Sequence, residues 1–145
     1  MRVNISELEP KAYRAMLMLE SFLNASDLNP IHKELIKIRA SQINGCAFCL
    51  NMHTKDARKL GETEQRIYML NAWREAYELY SEEEKVILAM TEEITLINKG
   101  GLSDETYNKA ISLFSGNVVA QLIMAIVTIN AWNRIGISTE LRPEY

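Results

Sequence analysis

Apolar residues recur along this chain of 145 residues at intervals of three and four, the spacing of helices with one buried face. No strand-type alternation, internal repeat or low-complexity stretch interrupts the pattern. The first helical run follows Ser6, a candidate N-cap, and has Pro10 in its first turn, where a missing N–H costs little. We predict a single all-α domain over residues 1–145, a bundle of six or seven helices.

The second predicted helix, over about residues 30–43, is apolar on two sides. Ile31, Leu35 and Ile38 share one side, and Ile36, Ala40 and Ile43 share the other. A helix that is apolar on several sides is usually central. Glu34 lies between Ile31 and Ile38, an unusual place for a carboxylate.

Capping signals divide the rest of the chain into further helices. Three further helices are predicted to start at Thr63, at the capping box of Ser81 and Glu84, and at Ser103. In the helix that starts at Ser103, the side chains expected to face inward are Tyr107, Ala110, Ile111 and Phe114. The final helix, about 117–134, is apolar nearly all round. Such a helix is either the centre of the bundle or half of a subunit interface.

The stretch from Asn44 to His53 contains both cysteines and one of the two histidines. We predict that Asn44 caps a helix opened by Gly45 and Cys46, which continues to about Leu60 and stops at Gly61. Cys46, Cys49 and His53 then occupy positions i, i+3 and i+7, so their side chains share one face.

Charge and composition narrow the functional classes. The formal net charge is -3, so there is no basic surface for nucleic acid or anionic membranes. The N-terminal residues lack the apolar core of a signal peptide, and the longest apolar stretch, Val118 to Ile129, is too short to cross a bilayer. We expect a cytoplasmic protein, in which two neighbouring cysteines favour redox or metal chemistry.

The residue types support thiol chemistry. Free N–H groups at a helix start favour a thiolate, which singles out Cys46 as the more acidic thiol. His53 is placed to accept a thiol proton, and Glu34 to orient His53 or pass the proton on. A cysteine oxidised to a sulfenic acid could be captured by the other as a disulfide.

Two other interpretations compete with redox chemistry. Zinc could use Cys46, Cys49 and His53, with His32 or Glu34 as the fourth ligand that a structural site requires. Alternatively, both cysteines are inert core residues. His32 lies in the first turn after Pro30, where we expect it to be exposed.

Glu34, Cys46, Cys49 and His53 form the pattern Glu-x11-Cys-x2-Cys-x3-His, which resembles the signature of the alkylhydroperoxidase D-like family within the carboxymuconolactone decarboxylase superfamily. Flanking blocks match too, and extend the resemblance from about residue 30 to 135. They are Ile38 to Cys46, His53 to Arg58, Leu70 to Glu75 and Ile129 to Arg134.

The resemblance implies a helical homo-oligomer, commonly a trimer or hexamer, and a peroxidase that cycles between dithiol and disulfide without metal or organic cofactor. Cys49 would attack the peroxide, Cys46 would resolve it, and Glu34 and His53 would relay protons. Some members carry a histidine directly before the second cysteine, where this chain has Phe48, so a relay through that imidazole is absent.

The predicted function is therefore reduction of an organic hydroperoxide or another small molecule, with a thiol or protein as reductant. The first alternative is thiol–disulfide exchange or redox sensing with a protein partner. The second is a non-redox helical assembly module with structural or zinc-binding cysteines.

Overall fold

The computed structural model describes residues 2–145; Met1, part of the segment used for the export prediction, lies outside them. Eight α-helices, with no strand among the described residues, confirm the all-α prediction. Three short 3₁₀ turns lie at Leu70–Ala72, Tyr77–Leu79 and Ile97–Lys99. The helices are α1 (Ile5–Leu8), α2 (Pro10–Asn24), α3 (Pro30–Asn44), α4 (Ala47–Lys59), α5 (Glu64–Tyr68), α6 (Glu82–Thr95), α7 (Asp104–Leu113) and α8 (Gly116–Ser138).

The N-terminal segment forms two helices instead of the single one predicted. Asn4, not Ser6, is the first cap, and its side chain accepts the amide hydrogen of Ser6. Glu9 then leaves the helical region, with φ -129° and ψ 63°. A residue before proline is sterically disfavoured in the helical conformation, so the chain breaks at Glu9 and α2 restarts at Pro10.

Helix α3 is central, as its two apolar sides predicted. It packs against α4, α6 and α8. Ile36 and Ala40 belong to a hydrophobic cluster shared with α6 and α8, whereas Leu35 and Ile38 join a second cluster around Leu70. Because α3 separates the two clusters, its polar residues are buried along with its apolar ones.

The predicted caps of the later helices are confirmed at Thr63, Ser81 with Glu84, and Ser103. The inward face predicted for α7 is wrong in part. Ala110 is buried, but Tyr107 and Ile111 are exposed. Helix α7 packs on α6 and α8 from outside, so it contacts the core through Ala110 and the partly buried Leu113 and Phe114 at its C-terminal end.

Helix α8 is central on one side and apolar on its outer side. Leu122, Ile126 and Ile129 are fully buried, while Val127 and Ile137 remain about half exposed. By length and composition alone α8 could span a membrane, yet half of its most apolar window is buried inside the fold. Burial of that kind is also found in the core helices of globular proteins.

Candidate active site

The two cysteines lie where α3 passes into α4, and the predicted capping arrangement is wrong. Asn44 is the last residue of α3, and Gly45 ends that helix in the left-handed conformation with φ 71°. Cys46 is the N-cap of α4, its Sγ accepting the amide hydrogen of Cys49 at 3.4 Å. A glycine at this junction ends one helix rather than opening the next, because it adopts positive φ without steric cost.

The two sulfurs are close together and shielded from solvent. Cys46 and Cys49 are free thiols, 2% and 3% exposed. The Cys46 thiol donates to Cys49 Sγ across 2.7 Å. Behind Cys46 runs α8, so close that a Cβ added at Gly136 would lie 3.5 Å from the sulfur.

His53 and Glu34 form a buried hydrogen-bonded pair beside the thiols. His53 Nδ1 lies 2.9 Å from Glu34 Oε2, and both residues are buried. The carboxylate of α3 thus holds the imidazole of α4, one helical turn beyond Cys49. The unusual inward position of Glu34, visible in the sequence, is explained by this contact.

Lys37 completes the charged group and was missed by sequence reasoning. Its Nζ lies 3.6 Å from Glu34 Oε1 and 3.5 Å from Glu20 Oε2. Lys37 is itself buried, so its ammonium sits between two carboxylates instead of in water. The signal available in the sequence was its i+3 relation to Glu34, which places both on one face of α3.

The environment of Cys49 favours the protonated thiol. Burial raises the pKa of Cys49 to about 12, and its hydrogen bond with Cys46 acts in the same direction. Hydrogen bonds with Asn133 and Ser41 lower the pKa of Cys49 and partly offset these effects. At neutral pH the resting Cys49 is therefore a thiol that needs a base to become a nucleophile.

A buried polar network between α3 and α8 fixes the orientation of Asn133. Asn44 Nδ2 donates to Asn133 Oδ1 at 2.9 Å, and Asn133 Nδ2 donates to Ser41 Oγ at 2.9 Å. Asn44 also donates to Asn130 Oδ1. Because its oxygen is engaged by Asn44, the Asn133 amide presents its N–H groups toward Ser41 and Cys49. Sequence reasoning missed this role, since it depends on how α8 packs against α3.

A cavity of about 470 Å³ opens onto this group. Cys49, His53 and Glu34 line it, whereas Cys46 does not. Its walls are largely apolar and aromatic, and Tyr13 and Trp132 meet edge to face with ring centroids 5.5 Å apart. Cys49 is thus the sulfur that a small molecule in the cavity would meet.

The geometry does not support zinc held by the cysteines. Among the described residues, the metal-capable side chains that gather within 4.8 Å of one another are Glu34, His53 and Asp56, a set without either thiol. His32 is partly buried, contrary to expectation, and burial lowers its pKa. Its charged neighbours are Glu83, Glu84 and Arg66, away from the cysteines.

Comparison with known proteins identifies the family. Residues 10–92 match the carboxymuconolactone decarboxylase family. The chain is 47% identical over 137 residues to the uncharacterized protein YdfG of Bacillus subtilis, covering 94% of this chain and 92% of that protein. This chain therefore belongs to the carboxymuconolactone decarboxylase family, in its alkylhydroperoxidase D-like branch.

Solved structures agree with this assignment. A protein of unknown function from Agrobacterium tumefaciens, proposed to be the antioxidant defence protein AhpD, is 35% identical with a TM-score of 0.95, covering 99% of this chain and 98% of that one. An uncharacterized peroxidase-related protein from Silicibacter has a TM-score of 0.80 at 22% identity, covering 90% and 69% of the two chains. The second likeness concerns the fold alone.

Proposed function

We propose that this protein is a cytoplasmic thiol peroxidase that reduces organic hydroperoxides with the Cys46/Cys49 dithiol and needs no metal or organic cofactor. One observation carries the proposal: Cys49, His53 and Glu34 line a single cavity, with the Cys46 sulfur 2.7 Å behind Cys49. Nucleophile, base and orienting carboxylate thereby face one bound molecule, and the second thiol contacts the nucleophile.

The first step transfers one oxygen atom from the peroxide to Cys49. His53, oriented by Glu34, accepts the Cys49 proton, and the thiolate attacks the terminal peroxide oxygen. The O–O bond breaks, the alkoxide takes up a proton and leaves as an alcohol, and Cys49 becomes a sulfenic acid. Because burial keeps Cys49 protonated at rest, this proton transfer is needed for turnover.

The second step forms the disulfide. Cys46 attacks the Cys49 sulfenic sulfur, an S–S bond forms, and the hydroxyl group leaves as water with the Cys46 proton. Two electrons have then passed from the dithiol to the peroxide. An external thiol or dithiol reductant, either a small molecule or a protein, must supply two electrons to restore both thiols.

A thiol count tests the proposal directly. Reduced, metal-analysed protein is treated with one equivalent of cumene hydroperoxide, and free thiols per chain are measured. Loss of two thiols without cross-links between chains supports the Cys46/Cys49 couple. Unreactive thiols, or thiols that appear only after a chelator, would overturn the proposal in favour of a core or zinc role.

Single alanine variants separate the two sulfurs. Cys49→Ala should abolish peroxide consumption with little loss of stability, whereas Cys46→Ala should stop at a sulfenic acid that dimedone traps on Cys49. Full turnover by Cys49→Ala would contradict the assigned roles. A zinc site would instead lose stability when either thiol is removed.

The alternative of thiol exchange or redox sensing with a protein partner receives less support. Both thiols are buried, so a disulfide on the surface of a large protein would have to enter the cavity before it could react with either sulfur. We further propose a homo-oligomer, trimeric or hexameric, because α2 and α8 expose apolar side chains suited to a subunit interface. These include Leu17, Met18, Phe22 and Val127.

A further inference from the structure

The walls of the site cavity carry a chemical preference that the thiol mechanism does not require. Seven apolar or aromatic side chains contribute to the lining, so a bound molecule exchanges water for hydrocarbon over most of its surface. They are Tyr13, Leu17, Phe48, Met52, Trp132, Ile135 and Leu141. Such walls suit an alkyl or aryl body.

The charged groups of the cavity are mostly acidic. Glu20, Glu34 and Asp56 line it together with a single ammonium, that of Lys37. Lys37 is not free to receive a substrate anion, since it lies 3.5–3.6 Å from both Glu20 and Glu34. Two further cations lie nearby but outside the lining. Lys33 donates to the Leu23 carbonyl at 3.1 Å, and Lys59 pairs with Asp56 on the exposed side.

An anionic ligand would therefore lose its hydration without gaining a positive partner. Transfer of a carboxylate into apolar surroundings is costly unless it is paired. Carboxylates already present add repulsion, which is stronger in a partly enclosed cavity than in water. A neutral ligand of the same shape meets neither penalty.

We infer that the cavity selects neutral, largely apolar molecules and rejects carboxylates, including those of the lactone type that gives the family its name. This inference rests on the proposed function in taking the reacting molecule to be a hydroperoxide. Among hydroperoxides, we therefore expect a neutral one to be favoured over its carboxylate counterpart.

Binding of two inert alcohols tests the inference without turnover. Derivatives of cumyl alcohol with a para-carboxylate or a para-carboxamide have nearly the same shape but differ by one charge. Titration calorimetry on the reduced protein at pH 7.5 should show the carboxamide binding at least tenfold more tightly. Equal affinity, or tighter binding of the carboxylate, would overturn the inference.

Glu20→Gln tests the electrostatic origin of the preference. This variant removes one cavity carboxylate and frees part of the Lys37 charge, so the affinity ratio between carboxamide and carboxylate should fall several-fold. Glu78→Gln is the matched control, because Glu78 is exposed and outside the lining. An unchanged ratio in Glu20→Gln would contradict the inference.

The corresponding pair of hydroperoxides separates this inference from the proposed function. Reduction of the carboxamide hydroperoxide at a higher rate than the carboxylate supports both. If neither hydroperoxide oxidises the thiols, the peroxidase proposal fails, while the alcohol affinities still decide the charge preference.

Discussion

At the scale of single residues, the candidate site combines a shielded thiol with an imidazole held by a carboxylate. Burial favours the protonated form of Cys49, and in the proposed mechanism His53, paired with Glu34, removes its proton. Phe48, directly before the second cysteine, lines the cavity. Phe48 contributes apolar surface and no titratable group, so the proposed proton transfer relies on His53.

The pH dependence of Cys49 alkylation follows from its raised pKa. Iodoacetamide reacts with the thiolate, so the rate at Cys49 should rise about tenfold per pH unit from pH 7 to 9, well below a pKa of about 12. Cys46→Ala removes the hydrogen bond that raises the Cys49 pKa and should accelerate alkylation at pH 8. Mass spectrometry of the labelled peptide measures both. A plateau below pH 9 in the unmodified protein would contradict the expectation.

Glu34→Gln should slow peroxide-dependent thiol loss by about ten- to a hundredfold, because the neutral amide no longer supports a positive charge on His53. Stopped-flow thiol oxidation across pH 6–9 measures the effect. Glu20→Gln is the matched control, since Glu20 lines the same cavity and contacts the same lysine without touching His53. An unchanged pH profile in Glu34→Gln would remove Glu34 from the relay.

At the scale of elements, the junction between α3 and α4 decides where the thiols lie. Gly45 reverses the backbone with φ 71°, and Cys46 begins the next helix immediately afterwards. The close succession of the two helices places a reactive side chain at a cap, where serine, threonine or aspartate is more common.

Gly45→Ala tests this junction. Nothing lies within 4 Å of an added Cβ, so the cost comes only from the left-handed backbone, roughly 1–2 kcal/mol. Urea denaturation should show that loss, whereas Gly45→Asn should lose less. Gly116→Ala is the control, because Gly116 is helical with equally open surroundings and should be neutral or slightly stabilising. Equal stability of Gly45→Ala and the unmodified protein would refute the strain argument.

At the scale of the whole molecule, local signals in the sequence predicted the architecture, and the four residues proposed for the site lie together in the structure. Helical spacing correctly predicted that Cys49 and His53 share a face, although Cys46 precedes the helix as its N-cap. The apolar neighbours of Glu34 marked it as unusual, and the structure pairs it with His53. The predicted cap at Asn44 was wrong because Gly45 ends α3 directly after Asn44, and the next helix is capped by Cys46. The contacts of Lys37 with Glu20 of α2 and of Asn133 with Ser41 form only in the folded chain, and spacing along the chain does not specify them.

Two buried groups, the Cys49 thiol and the Tyr80 hydroxyl, should make the stability of the fold decrease in alkaline solution. The pKa values of Cys49 and Tyr80 are raised by burial to about 12, from ordinary values of 9.0 and 10.0. The folded state thus holds protons that the unfolded state releases, so the free energy of unfolding should fall as pH rises from about 9 to 12. Urea titrations of reduced protein at pH 8, 9.5 and 11 measure this decline.

In the variants Cys49→Ala and Tyr80→Phe, the free energy of unfolding should each time fall less steeply with rising pH. The cysteine contribution begins near pH 9 and the tyrosine contribution near pH 10, which orders the two effects along the titration. A free energy of unfolding that stays constant from pH 8 to 11 would show that neither group is held in its protonated form by folding.

The close approach of α8 at Gly136 to the Cys46 sulfur affects which of the two cysteines can be oxidised irreversibly. Sulfinic and sulfonic acids add two or three oxygen atoms to a sulfur, and these need room. Cys46 has the α8 backbone at its back and the Cys49 sulfur in front, whereas Cys49 borders open volume. We therefore expect irreversible oxidation at Cys49, which borders the cavity, before Cys46, the proposed resolving thiol.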